Sequence, residues 1–326
     1  MHDDYFAQLG QLARATPLSL LFDLNLAARS PQMAQAVGRE LQRTVPRSSV
    51  TGFEIGNEPD LYVIGLVGNR FIKRGGDSPF QWALKYRASA YGSDFARYVS
   101  ALQTVWPHVS YAGPSQASGR TDFARHALST GKLSMLTVHR YQFNACLGPT
   151  GLTYPSQAKY LSGTASRVFA AASQSLVSLA HRAGLPLRVT EFGSAICGGR
   201  AGVTNTYATA LWAADTIFNL MAQGVDGVNV HLRESYPNSA LNASPAGITA
   251  NPLYYGMLLV TKTLGPGAQL MRVSTAPTTA NVSVWAVRDR HHTTRVLLLN
   301  ESRHDVRTKL TLGTPGDGTI QRLTAC

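Results

Sequence analysis

Two glutamates stand where local structure calls for no acid. FEIGNEPD carries Glu58 at the carboxyl end of an apolar run, after Gly56 and Asn57 and before Pro59, which takes the chain out of a strand into a loop. RVTEFG sets Glu191 in the equivalent place on a later run, 133 residues on (191 − 58). Glutamate is scarce here, with six in 326 residues, so neither acid reads as surface filler. Two carboxyl groups about 5 to 5.5 Å apart can divide a displacement at an acetal carbon between them, one attacking the carbon and one protonating the departing oxygen. The Asn57 amide beside Glu58 could hold a sugar hydroxyl next to the bond being broken. Either acid alone could equally cap a helix or pair with an arginine; the pair is what points to chemistry.

Positioning such a pair asks for strands ending at one rim, and the chain supplies the pattern. From residue 18 to about 231, short apolar runs alternate with helical patterns of ten or more residues, the signature of βα units on a parallel sheet. LSLLFDLNL, TGFEIGN, HVSYAG, SMLTVHRY, PLRVTEF and GVNVHL are the expected strands. Their nearly continuous apolar character is what burial on both faces requires. Ser30 with Pro31 opens a helical pattern holding Met33, Val37 and Leu41; Gly184 closes one holding Val168, Ala172, Leu176 and Leu179; Leu211, Ala214, Phe218 and Met221 form a third before Gly224. All three stripes are expected in the core. Beyond about residue 268 the period changes to two, and QLMRVS, NVSVWAVRD, TRVLLLN and VRTKLTL read as a small antiparallel module.

FEIGNEPDLY, LTVHRYQ, EFGSAICGGRAGVTNTYATALWAADT and NPLYYGMLL resemble the heparanase and β-glucuronidase family of glycoside hydrolases (family 79), over about residues 5 to 312. The resemblance implies an α/β fold, a (β/α)8 TIM-type barrel followed by an antiparallel β-sandwich, with retaining hydrolysis of a β-linked glucuronic acid and neither metal nor organic cofactor. By the motif match Glu58 is the acid/base and Glu191 the nucleophile; Glu58 must then stay protonated beside an ionised neighbour. His139 and Tyr141 resemble the family's aromatic wall, with Tyr141 donating to the nucleophile, although a core histidine satisfied by its neighbours is the plainer reading of His139. Cys197, Gly198 and Gly199 would offer backbone N–H groups to the uronate, or form a turn with no ligand. Tyr236 would add a side-chain donor to the same carboxylate. Asn25, ending LSLLFDLNL, would contact the sugar or simply form a turn.

Counted by the motif match, Glu58 ends the fourth barrel strand and Glu191 the seventh, so LSLLFDLNL is the third. The expectation is therefore an incomplete barrel over residues 1–265, lacking its first two βα units, and a partial sandwich over 266–326. A missing N-terminal segment becomes a possible partner, with open strand edges where it is absent.

The formal charge of +12, from thirty Lys and Arg against eighteen Asp and Glu, favours an anionic partner such as an acidic polysaccharide. Arg74, Arg120, Arg140, Arg200 and Arg233 fall on the expected rim loops. The basic residues form no run of five, so nucleic acid is not expected, and no stretch of about eighteen apolar residues suggests a membrane span. No signal peptide is visible. Cys146 and Cys197 fall on neighbouring rim loops and could bridge, which would suit a secreted or extracytoplasmic setting; Cys326 has no obvious partner. Asn281 and Asn300 lie in glycosylation sequons. Rival functions are heparanase-like internal cleavage of an acidic polysaccharide and a non-catalytic uronate-binding fragment. A metal-dependent hydrolase is disfavoured, because His291 and His292 sit in the β module, away from both acids.

Overall fold

The computed structural model describes residues 3–64, 82, 85–313 and 317–324; Arg74 and Cys326 lie outside them. The chain forms two compact units, the first comprising residues 1–140, 174–191 and 225–229, the second 141–173, 192–224 and 230–326.

Six parallel strands curl as a half-barrel in the order β1-β2-β3-β4-β5-β6, a TIM-like α/β arrangement. They are β1 (Leu20–Leu24), β2 (Val50–Ile55), β3 (Ser110–Gln116), β4 (Met135–Asn144), β5 (Leu187–Ile196) and β6 (Gly227–Val230), one overlapping each expected run, with β3, β4 and β5 running three or four residues past its end. The inner strands β2 and β3 are buried along nearly their whole length, polar Glu54, Ser115 and Gln116 included. The edge strands β1 and β6, with one neighbour each, are more open.

In the first unit, α1 (Asp3–Ala15) and α2 (Pro31–Thr44) flank β1, and α3 (Ala88–Gln103) and α4 (Asp122–Leu128) follow β2 and β3. Ser30 caps α2 by accepting the Met33 N–H at 3.1 Å, and Pro31 fills its first turn. The buried face of α2 is Ala34, Gly38 and Leu41, whereas Met33, expected in the core, is 51% exposed. The reason is Trp106: its ring lies over Gly38, and its Nε1 donates to the Gly38 carbonyl at 2.6 Å, which rotates the smaller side chains inward. With Phe53, Tyr91, Phe95, Val99 and Leu102, Trp106 makes the core between sheet and helices. After β4 the expected single helix is broken. A short α5 (Gln157–Tyr160) precedes α6 (Gly163–Ala171), which lies in the second unit, and α7 (Gln174–Arg182) lies in the first. Val168, counted as core from the sequence, is 66% exposed on α6.

The second unit is centred on α8 (Tyr207–Ala222), apolar on nearly every side and buried accordingly. Trp212 stacks on Phe192 with ring centroids 5.0 Å apart and meets Tyr160 edge-on at 5.7 Å. A hairpin of β7 (Leu241–Ser244) and β8 (Gly247–Ala250) leads to α9 (Pro252–Thr263). Gly256 lets α9 approach α8 so closely that a Cβ there would fall 2.4 Å from the Ala210 carbonyl oxygen. The antiparallel module is a three-stranded sheet in the order β11-β10-β9, from β9 (Gln269–Leu270), β10 (Val282–Arg288) and β11 (Thr294–Asn300). On β11 burial follows the period of two, at Leu297 and Leu299, whereas on β10 the adjacent Ala286 and Val287 are both buried. VRTKLTL, expected as a further strand, carries no ladder: Leu310 and Leu312 are exposed, with no facing layer to bury either side of that segment among the described residues.

Candidate active site

The turn after β2 is built to present Glu58. Gly56 takes φ +89° against Leu26, where a Cβ would fall 2.8 Å from that side chain, and Glu58 itself adopts φ +47°. Its backbone is held from the next strand, the Glu58 N–H donating to the Ser115 carbonyl at 3.0 Å. Pro59 opens a 3₁₀ turn (Pro59–Ile64), and the buried Asp60 carboxylate accepts the Ala117 and Ser118 N–H groups at 3.0 and 2.9 Å. The GNEPD string is thus a clamp fixing the end of β2 to the end of β3.

Glu191 projects from β5 and His139 from β4, and these three side chains meet. His139, 2% exposed, places Nδ1 3.1 Å from Glu58 Oε1 and 3.6 Å from Glu191 Oε2. One oxygen of each carboxylate and a ring nitrogen all lie within 4.8 Å of one another, and both acids are half-buried. Donors that close could share a proton or span a cation: Nε2 is engaged 2.6 Å from Ser115 Oγ, and Nδ1 faces the carboxylates. Desolvation alone would lower the pKa of His139; the hydrogen bond its ring donates to Glu58 and the charges of Glu191, Glu58 and Glu54 outweigh it and raise it.

Beneath these groups lies a polar floor the sequence reading missed. Glu54 on β2 is buried and accepts the Thr190 hydroxyl at 2.9 Å, with the Thr137 and Ser115 hydroxyls among the groups that act on its charge. Burial raises its pKa and the three hydroxyls oppose the rise. Asp23 on β1 pairs in register with Glu54. Crowding by protein and the Glu54 charge push its carboxyl up to about 8, although the residue keeps an exposed side along the free edge of β1, where solvent screens the repulsion.

The remaining expected contacts divide between the units. In the first, Asn57 is exposed beside Glu58. Asn25 follows β1, but its Oδ1 accepts the Ala28 N–H at 3.1 Å and so caps a local turn. Arg120 pairs with Asp122 at 2.6 Å. In the second, Tyr141 packs on Gly193, where a Cβ would meet the ring at 2.4 Å, and lies edge-on to His231. Cys146 and Cys197 are disulfide-bonded, with Cα atoms 5.6 Å apart. Cys197, Gly198 and Gly199 take φ of 63°, 77° and 82° in succession, and Tyr236 lies against Gly198 beneath the Arg233 guanidinium, 4.6 Å from its ring centre. Arg200 lies over Tyr154. Arg140 is half-buried, and desolvation lowers its pKa.

No protein-family model matches the chain, and no curated protein matches it. Among solved structures it is similar to a 4-O-α-L-rhamnosyl-β-D-glucuronidase from Fusarium oxysporum 12S, at TM-score 0.68 and 16% identity over 94% of this chain and 62% of that one. A family 51 α-L-arabinofuranosidase from Bifidobacterium longum follows at TM-score 0.60 and 12% identity, over 92% and 64%. A glucosidase from Croceicoccus marinus gives TM-score 0.57 and 14% identity, over 90% and 60%. The chain therefore spans less than two thirds of each neighbour's length. At these identities the likeness is one of fold.

Proposed function

We propose that this chain is a glycoside hydrolase of the retaining kind, acting on a β-linked glucuronic acid residue at the end of a glycoside. The observation that carries the reading is the approach of Glu58 and Glu191 to within 4.8 Å across His139, close to the separation that retaining hydrolases use. In the first half-reaction a Glu191 carboxylate oxygen bonds to the anomeric carbon, the glycosidic C–O bond breaks, and Glu58 gives its proton to the leaving oxygen. In the second, Glu58 takes a proton from water, the water oxygen bonds to the anomeric carbon, and the Glu191 ester bond breaks. The neighbours in fold are named for glycosidic activities, one of them a β-D-glucuronidase, and the charge of +12 suits an acidic sugar. Backbone donors at Cys197, Gly198 and Gly199, with Tyr141 and Tyr236, are the proposed uronate contacts.

The test is hydrolysis of a chromogenic β-glucuronide against the matching β-glucoside and heparan sulfate. Turnover of the glucuronide, abolished in Glu58→Gln and Glu191→Gln, supports the proposal. Cleavage of heparan sulfate instead moves it to the internal mode, and tight uronate binding without turnover moves it to a binding role.

A further inference from the structure

One nitrogen and two carboxylate oxygens facing a common point can hold an ion as well as share a proton. His139 Nδ1 stands 3.1 Å from Glu58 Oε1 and 3.6 Å from Glu191 Oε2, and the three donors lie within 4.8 Å of one another. Bonds of about 2.0–2.2 Å to a tetrahedral ion put neighbouring donors about 3.4 Å apart, so both contacts of the ring nitrogen match an edge of such a coordination sphere. The edge between the two carboxylates, at most 4.8 Å, shortens by turning the terminal glutamate torsions, which are broad.

The ring is also held as ligand histidines are held. It is 2% exposed, and its far nitrogen, Nε2, lies 2.6 Å from the hydroxyl of Ser115, itself 1% exposed. Ser115 is fixed in turn, its N–H donating to Thr137 Oγ1 at 3.0 Å and its carbonyl accepting the Glu58 N–H at 3.0 Å. With Nε2–H donating to that hydroxyl, Nδ1 offers a lone pair to the cluster once its own proton leaves. Glu58 and Glu191 are half-buried, so the outer side of an ion there stays open to water. All of these residues belong to the first unit.

We propose that Glu58, His139 and Glu191 form an inhibitory site for a divalent transition-metal ion of the Zn²⁺ kind. The donor set selects the class of ion: Mg²⁺ and Ca²⁺ take shells of six or more oxygens, whereas an imidazole with two carboxylates suits Zn²⁺ and Co²⁺. In binding, the ion exchanges waters for the three protein donors, and the proton between Nδ1 and Glu58 passes to solvent. No step of the proposed hydrolysis runs through the ion. It opposes the reaction, because the Glu191 oxygen meant for the anomeric carbon becomes a ligand, Glu58 has no proton to give, and the remaining waters of the ion fill the place of the sugar. The inhibitory part of this inference rests on the roles proposed above for the two acids; the binding part rests on the geometry alone.

The test uses the full chain, stripped with a chelator and titrated with Co²⁺, whose visible absorption reports ligation by protein groups. One equivalent is expected to give strong bands that Zn²⁺ removes. His139→Asn and Glu191→Gln should each abolish them. Ser115→Ala, which leaves all three donors in place, should weaken binding about 10-fold, so the question stays decidable if a ligand variant does not fold. His181, exposed and 3.0 Å from Asp226, is the competing place for an ion, and His181→Ala should leave the bands unchanged. Absent bands, or bands that survive His139→Asn, overturn the proposal; in the second case the ion is adventitious. Against a chromogenic β-glucuronide, Zn²⁺ should raise KM with kcat unchanged, and EDTA should restore the rate. An unchanged rate with the ion bound overturns the inhibitory role, and turnover that requires the ion contradicts both that role and the two-carboxylate mechanism. Absence of turnover by the metal-free chain contradicts the proposed function instead, while the Co²⁺ spectra still decide whether the site binds an ion.

Discussion

His139 Nδ1 lies 3.1 Å from Glu58 Oε1, so the buried imidazole and the half-buried acid are in direct hydrogen-bonding contact. A histidine lodged there is a different object from a core histidine satisfied by backbone. It ties the proton inventory of one acid to the charge on another, because Glu191 Oε2 is 3.6 Å from the same nitrogen.

His139→Asn should lower turnover about 100-fold, the usual scale for a lost proton-transfer partner. It should also change how stability depends on pH. The folded-state pKa of His139 is raised above its ordinary 6.5, burial opposing and the neighbouring carboxylates prevailing. Its contribution is therefore fully present below 6.5 and is lost as pH rises through the folded value. Denaturant titrations of the unaltered chain and the variant should diverge on the acid side and converge on the alkaline side. A gap that widens with rising pH contradicts this.

Asp60→Ala removes the acceptor of two backbone N–H groups at the ends of β2 and β3. Unsatisfied buried donors cost about 1–3 kcal/mol each, less whatever water recovers. Urea unfolding should show a loss of at least about 2 kcal/mol, accompanied by reduced turnover as the Glu58 turn loosens. Full activity with unchanged stability would show that the turn holds itself.

In the second unit, Glu301 is buried next to Asp215, and neither of its carboxylate oxygens has a hydrogen-bond partner among the described residues. Desolvation, then the Asp215 charge, push its pKa up to about 8 against the opposing Arg167. A raised carboxyl favours the protonated fold, so its contribution is complete below about 4.5 and drains away as pH climbs toward about 8. Within that window each pH unit removes up to about 1.4 kcal/mol. Thermal melts from acid to mildly alkaline pH should decline in the unaltered chain and flatten in Glu301→Gln. Parallel curves would remove Glu301 as the cause.

The Cys146–Cys197 disulfide spans 51 residues, for which loop-closure entropy gives about 4 kcal/mol. Reduction, or Cys146→Ser with Cys197→Ser, should lower the unfolding midpoint of the second unit by a corresponding amount. An unshifted midpoint contradicts a structural role for the bond.

What the sequence made readable follows from where burial leaves a mark. Strands covered on both faces must be continuously apolar, so six parallel strands could be found in six runs, and Gly56 with Pro59 marked the turn that presents Glu58. The antiparallel strand β11 was legible to the residue from its period of two. The helix break between α6 and α7 was not, because the Ala172 and Ser173 at the junction carry no breaker signal. The β7–β8 hairpin was hidden by its weakly apolar LNASPAGITA sequence. Glu54, Ser115, Thr137 and Thr190 were invisible for another reason: each reads as a tolerated polar residue in a strand, and only the fold pairs Thr190 with Glu54 and Ser115 with Thr137. Asp60 carries no signal of its own in the sequence; only the two backbone N–H groups it accepts mark it as structural.

The account turns on Glu191 bonding to the sugar while Glu58 supplies the proton, and a slow substrate can stop the reaction at that point. Incubation with a 2-deoxy-2-fluoro-β-glucuronide bearing a dinitrophenyl leaving group, followed by peptide mass analysis, should find one fluorouronosyl adduct on the peptide carrying Glu191. The adduct should vanish in Glu191→Gln and persist in Glu58→Gln. A chain that hydrolyses glucuronides with no adduct formed, or with the label on Glu58, would contradict the assignment of roles.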